Sequence, residues 1–465
     1  MKFELRLNGV PVQIKPGGSY EMELNNPMAE FDSVLGSRGM NIELADSVTN
    51  HEVLGWINDP RSASSEMLLK AEQYASGNLI DVGYCYVRDA KRGGLLDFTS
   101  NLSQFFGIYQ SLKLSEIDLG DIGTPVWNST RTNTWNSGGF ILPTVLNSVF
   151  FKDGTAPGGW DGKMNSYSSG YLTDTPKVPM FFLKYLLKKV ADLAGVRFVG
   201  DVWEHVDFGR LYMYNSKVGF STAEIRLFMP DVTVAELLLS FRKYFNVAMM
   251  FDVANKTIRL DFADDKLKAN PVVDWSDKMG KIQGGIPVKT DGILLEFVND
   301  SGDGLAKDAY FGSGQVPGVL DYPKTDIVKK ISTSMVPILM VSGLPAVEIV
   351  GVIEPELTDA RTAIRIGRWN PTIGDGDASF GGVEMNWAGL TPNYWAKTAA
   401  VNAESYLIDE DAALDANDVA WVAECYRGER PDAAIVHAQG VTWEVLKVTV
   451  PYGKSRMCRV KMRRV

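Results

Sequence analysis

Residues 233–262 read TVAELLLSFRKYFNVAMMFDVANKTIRLDF, and the period of the apolar positions changes midway. Thr233 and Glu236 have the spacing of a capping box, in which each side chain satisfies a backbone N–H at a helix start. Leu237, Leu238, Phe241, Tyr244 and Phe245 then recur at helical spacing and supply an apolar face. The period next drops to two. Val247 to Phe251 run apolar, Asn255-Lys256 is a polar turn, and the residues from Thr257 to Phe262 alternate as a return strand. A helix feeding straight into a β-hairpin is predicted. Upstream, residues 176–195 predict another helix. Thr173, Asp174 and Thr175 can cap it, and Pro176 suits a first turn, where its missing N–H costs nothing. Phe181, Phe182, Tyr185, Leu186, Val190, Leu193 and Ala194 form its apolar side, Lys184, Lys188, Lys189 and Asp192 its wet side, and Gly195 its stop.

The chain has 465 residues, enough for several domains with real cores. Its 45% hydrophobic and 22% charged content is that of an ordinary globular protein, which leaves pattern to decide the fold. With 44 Gly, 17 Tyr and 11 Trp, the turn-rich and aromatic-rich composition favours β structure. Cys85, Cys425 and Cys458 have no paired spacing and leave one over, so a disulfide framework is not expected and a reducing compartment fits. The first residues, MKFELRL, alternate polar and apolar and lack the continuous apolar core of a signal peptide. No run of about eighteen apolar residues occurs, so no membrane span is expected. The net charge of −10 argues against a protein that grips nucleic-acid phosphates. It is compatible with one that DNA merely passes.

The fold class expected is α+β, mainly β, in four segments. Residues 1–100 are expected to be an N-terminal β domain, of which residues 1–60 look all β. Phe3, Leu5 and Leu7 alternate, Asn8-Gly9 is a strong hairpin signal, and Val10, Val12 and Ile14 return. Within that segment a short helix is expected over 64–76, with Met67, Leu68, Ala71 and Tyr74 on one side, followed by a strand at 79–88. Residues 101–173 are rich in Asn, Ser, Thr, Gly and Trp and predict an irregular, loop-heavy insertion that faces outward. Residues 174–285 form the helix–strand–helix–hairpin domain. Residues 286–465 return to short β runs, with helix signal only near 392–406 and two closing strands at 441–450 and 455–465. No internal repeat of fixed period is present.

No catalytic, cofactor or metal signature is present. His51, His205 and His437 have no ligand-like partner spacing and read as structural or surface histidines. Residues 299–304, NDSGDG, look like the start of a calcium loop, yet Tyr310 stands where a bidentate Glu is needed, so a plain turn is expected. Residues 374–377, GDGD, read as another acidic turn, without the strand–helix unit of a phosphate cradle. Asp409, Glu410, Asp411, Asp415 and Asp418 contain enough carboxylates for a glycosidase pair, but clustered acids are more simply a solvated loop. Trp127, Trp135, Trp160 and Tyr167 lie in the insertion as candidates for a subunit interface or core, or for stacking on sugar rings. Arg456, Arg459, Lys461 and Arg463 make the last strand basic in an acidic chain. They read as a charged edge that discourages aggregation, or as a dock for an acidic neighbouring subunit.

Taken in order, these parts resemble the tail hub proteins of long-tailed bacteriophages, a family shared with the baseplate hubs of contractile injection systems. The likeness is carried by Val232-Thr233-Val234-Ala235-Glu236-Leu237-Leu238 through Phe245-Asn246-Val247, and by Asp252 through Leu260. It covers residues 170–300 well and the two ends loosely. The insertion has no counterpart. The resemblance implies two tube-like β-barrel domains, here 1–100 and 286–465, around the helix–hairpin domain. It also implies a homotrimeric ring around a DNA channel and no catalytic residues. Implied partners are further copies of the chain, neighbouring tail tube, distal tail, tip or fibre proteins, and DNA only in transit. The implied location is the virion tail, after synthesis in the host cytoplasm. A carbohydrate- or receptor-binding protein of the tail tip or cell surface is the alternative, resting on the aromatic insertion, and a glycan-degrading enzyme a third.

Overall fold

The computed structural model describes the chain except residues 1, 19, 31–32, 35, 63–67, 90–92, 101–106, 124–132, 153–154, 169–170, 220–222, 281, 283, 288–292, 298–301, 306–328, 334, 354–363, 370–393, 396, 399–400, 402–405 and 453–456. The described chain is mainly β and multidomain. Its first strands are β1 (Phe3–Leu7), β2 (Val10–Val12), β3 (Tyr20–Asn25), β4 (Arg38–Glu43), β5 (Leu68–Ala75), β6 (Asn78–Asp89) and β7 (Leu95–Thr99). The central hairpin is β8 (Val247–Asp252) and β9 (Thr257–Phe262), and the last strands are β10 (Tyr406–Ala412), β11 (Val441–Tyr452) and β12 (Cys458–Arg464). The helices used below are α1 (Val48–Val53), α2 (Leu183–Ala194), α3 (Val234–Phe245) and α4 (Ala416–Arg427).

Strands from the two ends of the chain share one 13-stranded sheet, whose main path runs β10-β12-β11-β3-β4-β7-β6-β5-β1-β2. The junction is antiparallel pairing of β11 with β3, which sets Val448 opposite Leu24 and Val450 opposite Met22. This corrects the expectation of two separate barrels. The free edge of β3 is taken by a strand from the far end of the chain, and no sheet of described residues closes into a barrel. The sheet does curl strongly. Pairing slips by a residue between β4 and β7, β5 and β6, β6 and β7, and β11 and β12, and such bulges bend strands and increase twist. Gly83 in β6 allows the curl, because a Cβ there would lie 2.3 Å from the carbonyl oxygen of Thr99. The curl brings β11 back across the interior to β5 and β1: Tyr452 Oη donates to Gln73 Oε1 at 2.9 Å, and the rings of Phe3 and Tyr452 are 3.9 Å apart. A single bridge, Ile14 to Leu44, carries the chain beyond β2 back to the end of β4.

Helix α4 fills the concave side, where Val419, Val422 and Ala423 meet Leu24, Phe98, Val448 and Val460 in one buried core. The sequence reading missed this helix. Asp415, expected in a solvated loop, is its N-cap: its side chain accepts from the N–H groups of Asn417 and Asp418, and Asp418 reaches back to the N–H of Asp415. Asp409, Glu410 and Asp411 lie on β10. The helix expected at 64–76 is, over its described part, strand β5. Leu69, Ala71, Gln73 and Ala75 point inward with period two. Small and polar inward residues made that alternation faint, and the Leu/Ala/Tyr spacing imitated a helix. Residues 1–60, expected to be all β, also hold the short helix α1, capped by Ser47.

The central unit follows the sequence more closely. Thr233 and Glu236 form the capping box of α3, and Asn246 ends it in the left-handed region at φ 50°. Strand β8 pairs with β9 from Val247–Phe262 to Asp252–Thr257. The upstream helix is shorter than expected. It begins at Leu183, after a strand Met180–Phe182, and stops at Gly195 at φ 66°. Phe181 and Phe182 looked helical because both are apolar, but they are buried on opposite faces of that strand, in two different cores. The closing strands β11 and β12 appear where expected. The expected 392–406 helix and the turn 374–377 lie largely or wholly outside the described residues.

Candidate functional site

The aromatic insertion is not an outward-facing loop. Ile141, Val145, Phe150, Met164 and Tyr167 are buried in a core shared with Tyr212, Ile338, Val347 and Trp369, and Phe140 is buried in the neighbouring core with Phe181 and Leu183. The short strand Phe140–Ile141 pairs with Met180–Phe182, and Val145–Leu146 with Leu344–Ala346. Short, poorly periodic strands hid this in the sequence, because each is stable only through partners far along the chain. Trp127 lies outside the described residues. Trp135 is half-buried. The ammonium of Lys184 sits 4.3 Å from its ring and 4.8 Å from that of Trp203, and donates to the carbonyl of Trp203. Burial lowers the pKa of that ammonium. Trp160 packs edge-on against Phe151 at 4.9 Å. Tyr167 is 4% exposed, and its hydroxyl donates to the carbonyl of Leu142 at 3.0 Å. Among the described residues, the rings of Trp135, Trp160 and Tyr167 are engaged in packing.

The basic last strand separates into different environments. Arg456 lies outside the described residues. Arg459 and Lys461 are exposed on the convex face of the sheet. Arg463 is 6% exposed, and Nη2 donates to Glu444 Oε2 at 2.6 Å. Asn26 Nδ2 donates to the other oxygen of Glu444 at 3.1 Å. Arg463 is therefore not available to a neighbouring subunit. The acidic neighbour of this strand lies in the same chain: β10 sets Asp409 opposite Lys461 and Asp411 opposite Arg459. Arg459 Nε donates to Asp409 Oδ1 at 2.7 Å, which raises the guanidinium pKa further.

The same pairing recurs across the convex face. Lys447 Nζ lies 3.0 Å from Glu23, Arg88 3.2 Å from Asp97, Lys70 3.4 Å from Glu72, and Arg38 also pairs with Glu23. Burial pulls the carboxyl of Glu23 upward, but hydrogen bonds from Arg38 and Lys447 outweigh it and hold its pKa below the usual range. Amid these charges Leu68 and Tyr86 form an exposed cross-strand pair. Period-two charges on β3, β5 and β12 were legible in the sequence. The cross-strand partners were not: Glu23 pairs with Arg38 on β4 and Lys447 on β11, and Arg459 with Asp409 on β10, whereas Lys70 and Glu72 share β5.

Among the described residues no group of three or more His, Cys, Asp or Glu could hold a metal ion. His51 contacts Asp46 at 2.6 Å, and His437 lies 3.6 Å from Asp274, so two of the three histidines sit beside separate carboxylates. In the loop read as a plain turn, Asp303 pairs with buried Arg365 at 2.9 Å. No helix of the described residues is long and apolar enough to cross a membrane.

No protein-family model and no curated protein matches the chain. Among solved structures it is similar to the 43 kDa tail protein of prophage MuSo2 from Shewanella oneidensis, at 8% identity and a TM-score of 0.38 over 100% of this chain and 96% of that one. It is similar to the tail protein from Neisseria meningitidis MC58 at 8% identity and TM-score 0.38, over 99% and 95% of the two chains. For prophage tail protein gp18 from Listeria monocytogenes EGD-e the values are 7% and 0.38, over 100% and 94%. At that TM-score the likeness carries no weight for fold or function.

Proposed function

We propose that the chain is a structural component of a bacteriophage tail tip, a hub subunit that joins copies of itself in a ring around a passage for DNA. The observation that carries this reading is the curled sheet built from both ends of the chain, packed on α4 inside and wet outside. On its convex face acids are set against bases. Such a face suits a wall along which a polyanion slides, because paired cations are not free to neutralise phosphates. The net charge of three chains, three times −10 or −30, acts in the same direction. The sheet path ends at β2 on one side and at the two-residue strand Ile286–Pro287 on the other. Among the described residues these two end strands each have an edge without a strand partner, where a cyclic neighbour can continue the wall.

The role is structural rather than catalytic in this reading. A polysaccharide or peptidoglycan hydrolysis that one Asp or Glu substitution abolishes would overturn that part. The glycan-binding alternative is weaker, because Tyr167 is interior and Trp135 and Trp160 are engaged in packing. Arg459 and Lys461 remain candidates for a contact with a neighbour. The test is electron microscopy of the purified protein, alone and co-assembled with the adjoining tail proteins. Rings with a central hole are expected, and an assembled tail in which the chain makes no cyclic contacts would remove the hub reading.

A further inference from the structure

Three parts of the fold meet at a cavity of about 40 Å³. Strand β6 contributes Asp81, β7 is followed by Ser100, the hairpin brings Phe251, and α4 brings Tyr426 and Arg427. The volume exceeds the ~10–15 Å³ that one water needs. Asp81 is 4% exposed. Its Oδ1 accepts from the N–H of Val82 at 2.8 Å, and its Oδ2 from the hydroxyl of Ser100 at 2.9 Å. Among the described residues no cation lies within ion-pairing distance of it. The nearest charge it feels is Arg427, whose guanidinium is engaged elsewhere: one nitrogen donates to the carbonyl of Ile80, and two to Glu429 at 2.7 and 3.0 Å. The other charged or titratable groups facing this junction are Asp252 on β8, which acts on Arg427, Tyr426 on α4 and Tyr452 on β11.

We propose that Asp81 is a proton-sensitive latch between the sheet and the helix–hairpin unit. Neutral, its carboxyl sits in a closed seam. Ionised, it draws water into the adjoining cavity and loosens the contact of β6 with α4 and the hairpin.

Burial pushes the Asp81 pKa above the usual carboxylate range, and Arg427 with the hydroxyls of Ser37 and Ser100 offsets this only in part. A folded-state pKa above the unfolded one gives stability that is complete at acid pH and is lost as pH rises through the folded value. Asp81→Asn keeps the shape and removes the ionisation. Its melting temperature relative to wild type should therefore be higher at pH 8 than at pH 4, the other titrating groups being common to both. Hydrogen exchange of the amides of residues 247–262, compared at equal pH, should be slower in the variant at pH 8 and equal at pH 4. Ser100→Ala tests the opposite sign without relying on the first variant to fold. Loss of a donor to the carboxylate raises its pKa further, so the deficit against wild type should grow with pH. A melting difference independent of pH in either variant would overturn the latch, whatever the oligomeric state proves to be.

Discussion

Arg459 and Arg463 have the same side chain, lie on the same strand and face the same side, yet they differ in energetic weight. Arg459 is 64% exposed at its side chain and pairs with Asp409, which is 51% exposed. Exposed pairs contribute little, since water screens them and ordering two long side chains costs entropy. Arg463 lines a small cavity together with Met28 and with Arg242, Lys243 and Asn246 of the α3 end, and pairs with Glu444, whose side chain is 1% exposed. Arg463→Ala leaves that carboxylate buried and unpaired, and should destabilise the protein by about 3–5 kcal/mol. Arg459→Ala should leave stability unchanged. Urea unfolding of the two variants checks the contrast, and equal effects would mean that the burial of Arg463 is wrong. The basic stripe was legible in the sequence. Its division into a surface half and a core half was not, because the residues around Arg463 come from elements some 200 and 400 residues away in the chain, on the order of the separations that no local pattern encodes.

At the scale of elements, those whose stability is local were legible. The capping box, the apolar face and the αL stop of α3 all lie within one short stretch. Thr233→Ala removes one half of the box and should cost ~1 kcal/mol, read as a lower melting temperature with no change in helix content at room temperature. Thr233→Ser should preserve the bond and the melting point. A Thr233→Ala protein that melts like wild type would show that the cap is satisfied in another way. Helix α4 has the same architecture, from its Asp415 cap to Gly428 at φ 71°. It was hidden because Asp, less typical than Glu, stands at the third helical position, and because the preceding acids made the whole run resemble a solvated loop. Strand β5 was hidden for a different reason. Half of its inward positions are Ala, and Gln73 is turned inward to meet Tyr452. The hydrophobic signal was too weak to mark the period.

At the scale of the whole molecule, Arg242 shows how the units are tied together. Its guanidinium donates to the carbonyls of Ser33, Pro27 and Glu30 at 2.7, 2.6 and 2.6 Å, so helix α3 grips the loop that follows β3. The aromatic insertion is tied equally firmly. Asn147 Nδ2 donates to the carbonyl of Ile349 at 2.6 Å, and a Cβ on Gly351 would collide with Phe150 at 2.3 Å. Deleting residues 120–165 should therefore expose the partners of Phe140, Val145, Phe150 and Met164, and give insoluble or non-cooperatively unfolding protein, measured by solubility and calorimetry. A soluble deletion with a sharp transition would show that the insertion is peripheral after all.

The sequence by itself determined the helix–hairpin at the centre, the tight Asn8-Gly9 turn, the two closing strands and the mainly β character. In each, the residues that satisfy the backbone or cover the apolar face lie within a few positions of one another. Only the tertiary structure decided that the first and last β segments share one sheet, that the described sheet curls without closing, and that Ile141, Val145, Phe150, Met164 and Tyr167 of the Trp-rich stretch are core. Strand edges carry no address: β3 and β11 are compatible with many partners, and the choice between them rests on burial that only the assembled fold provides.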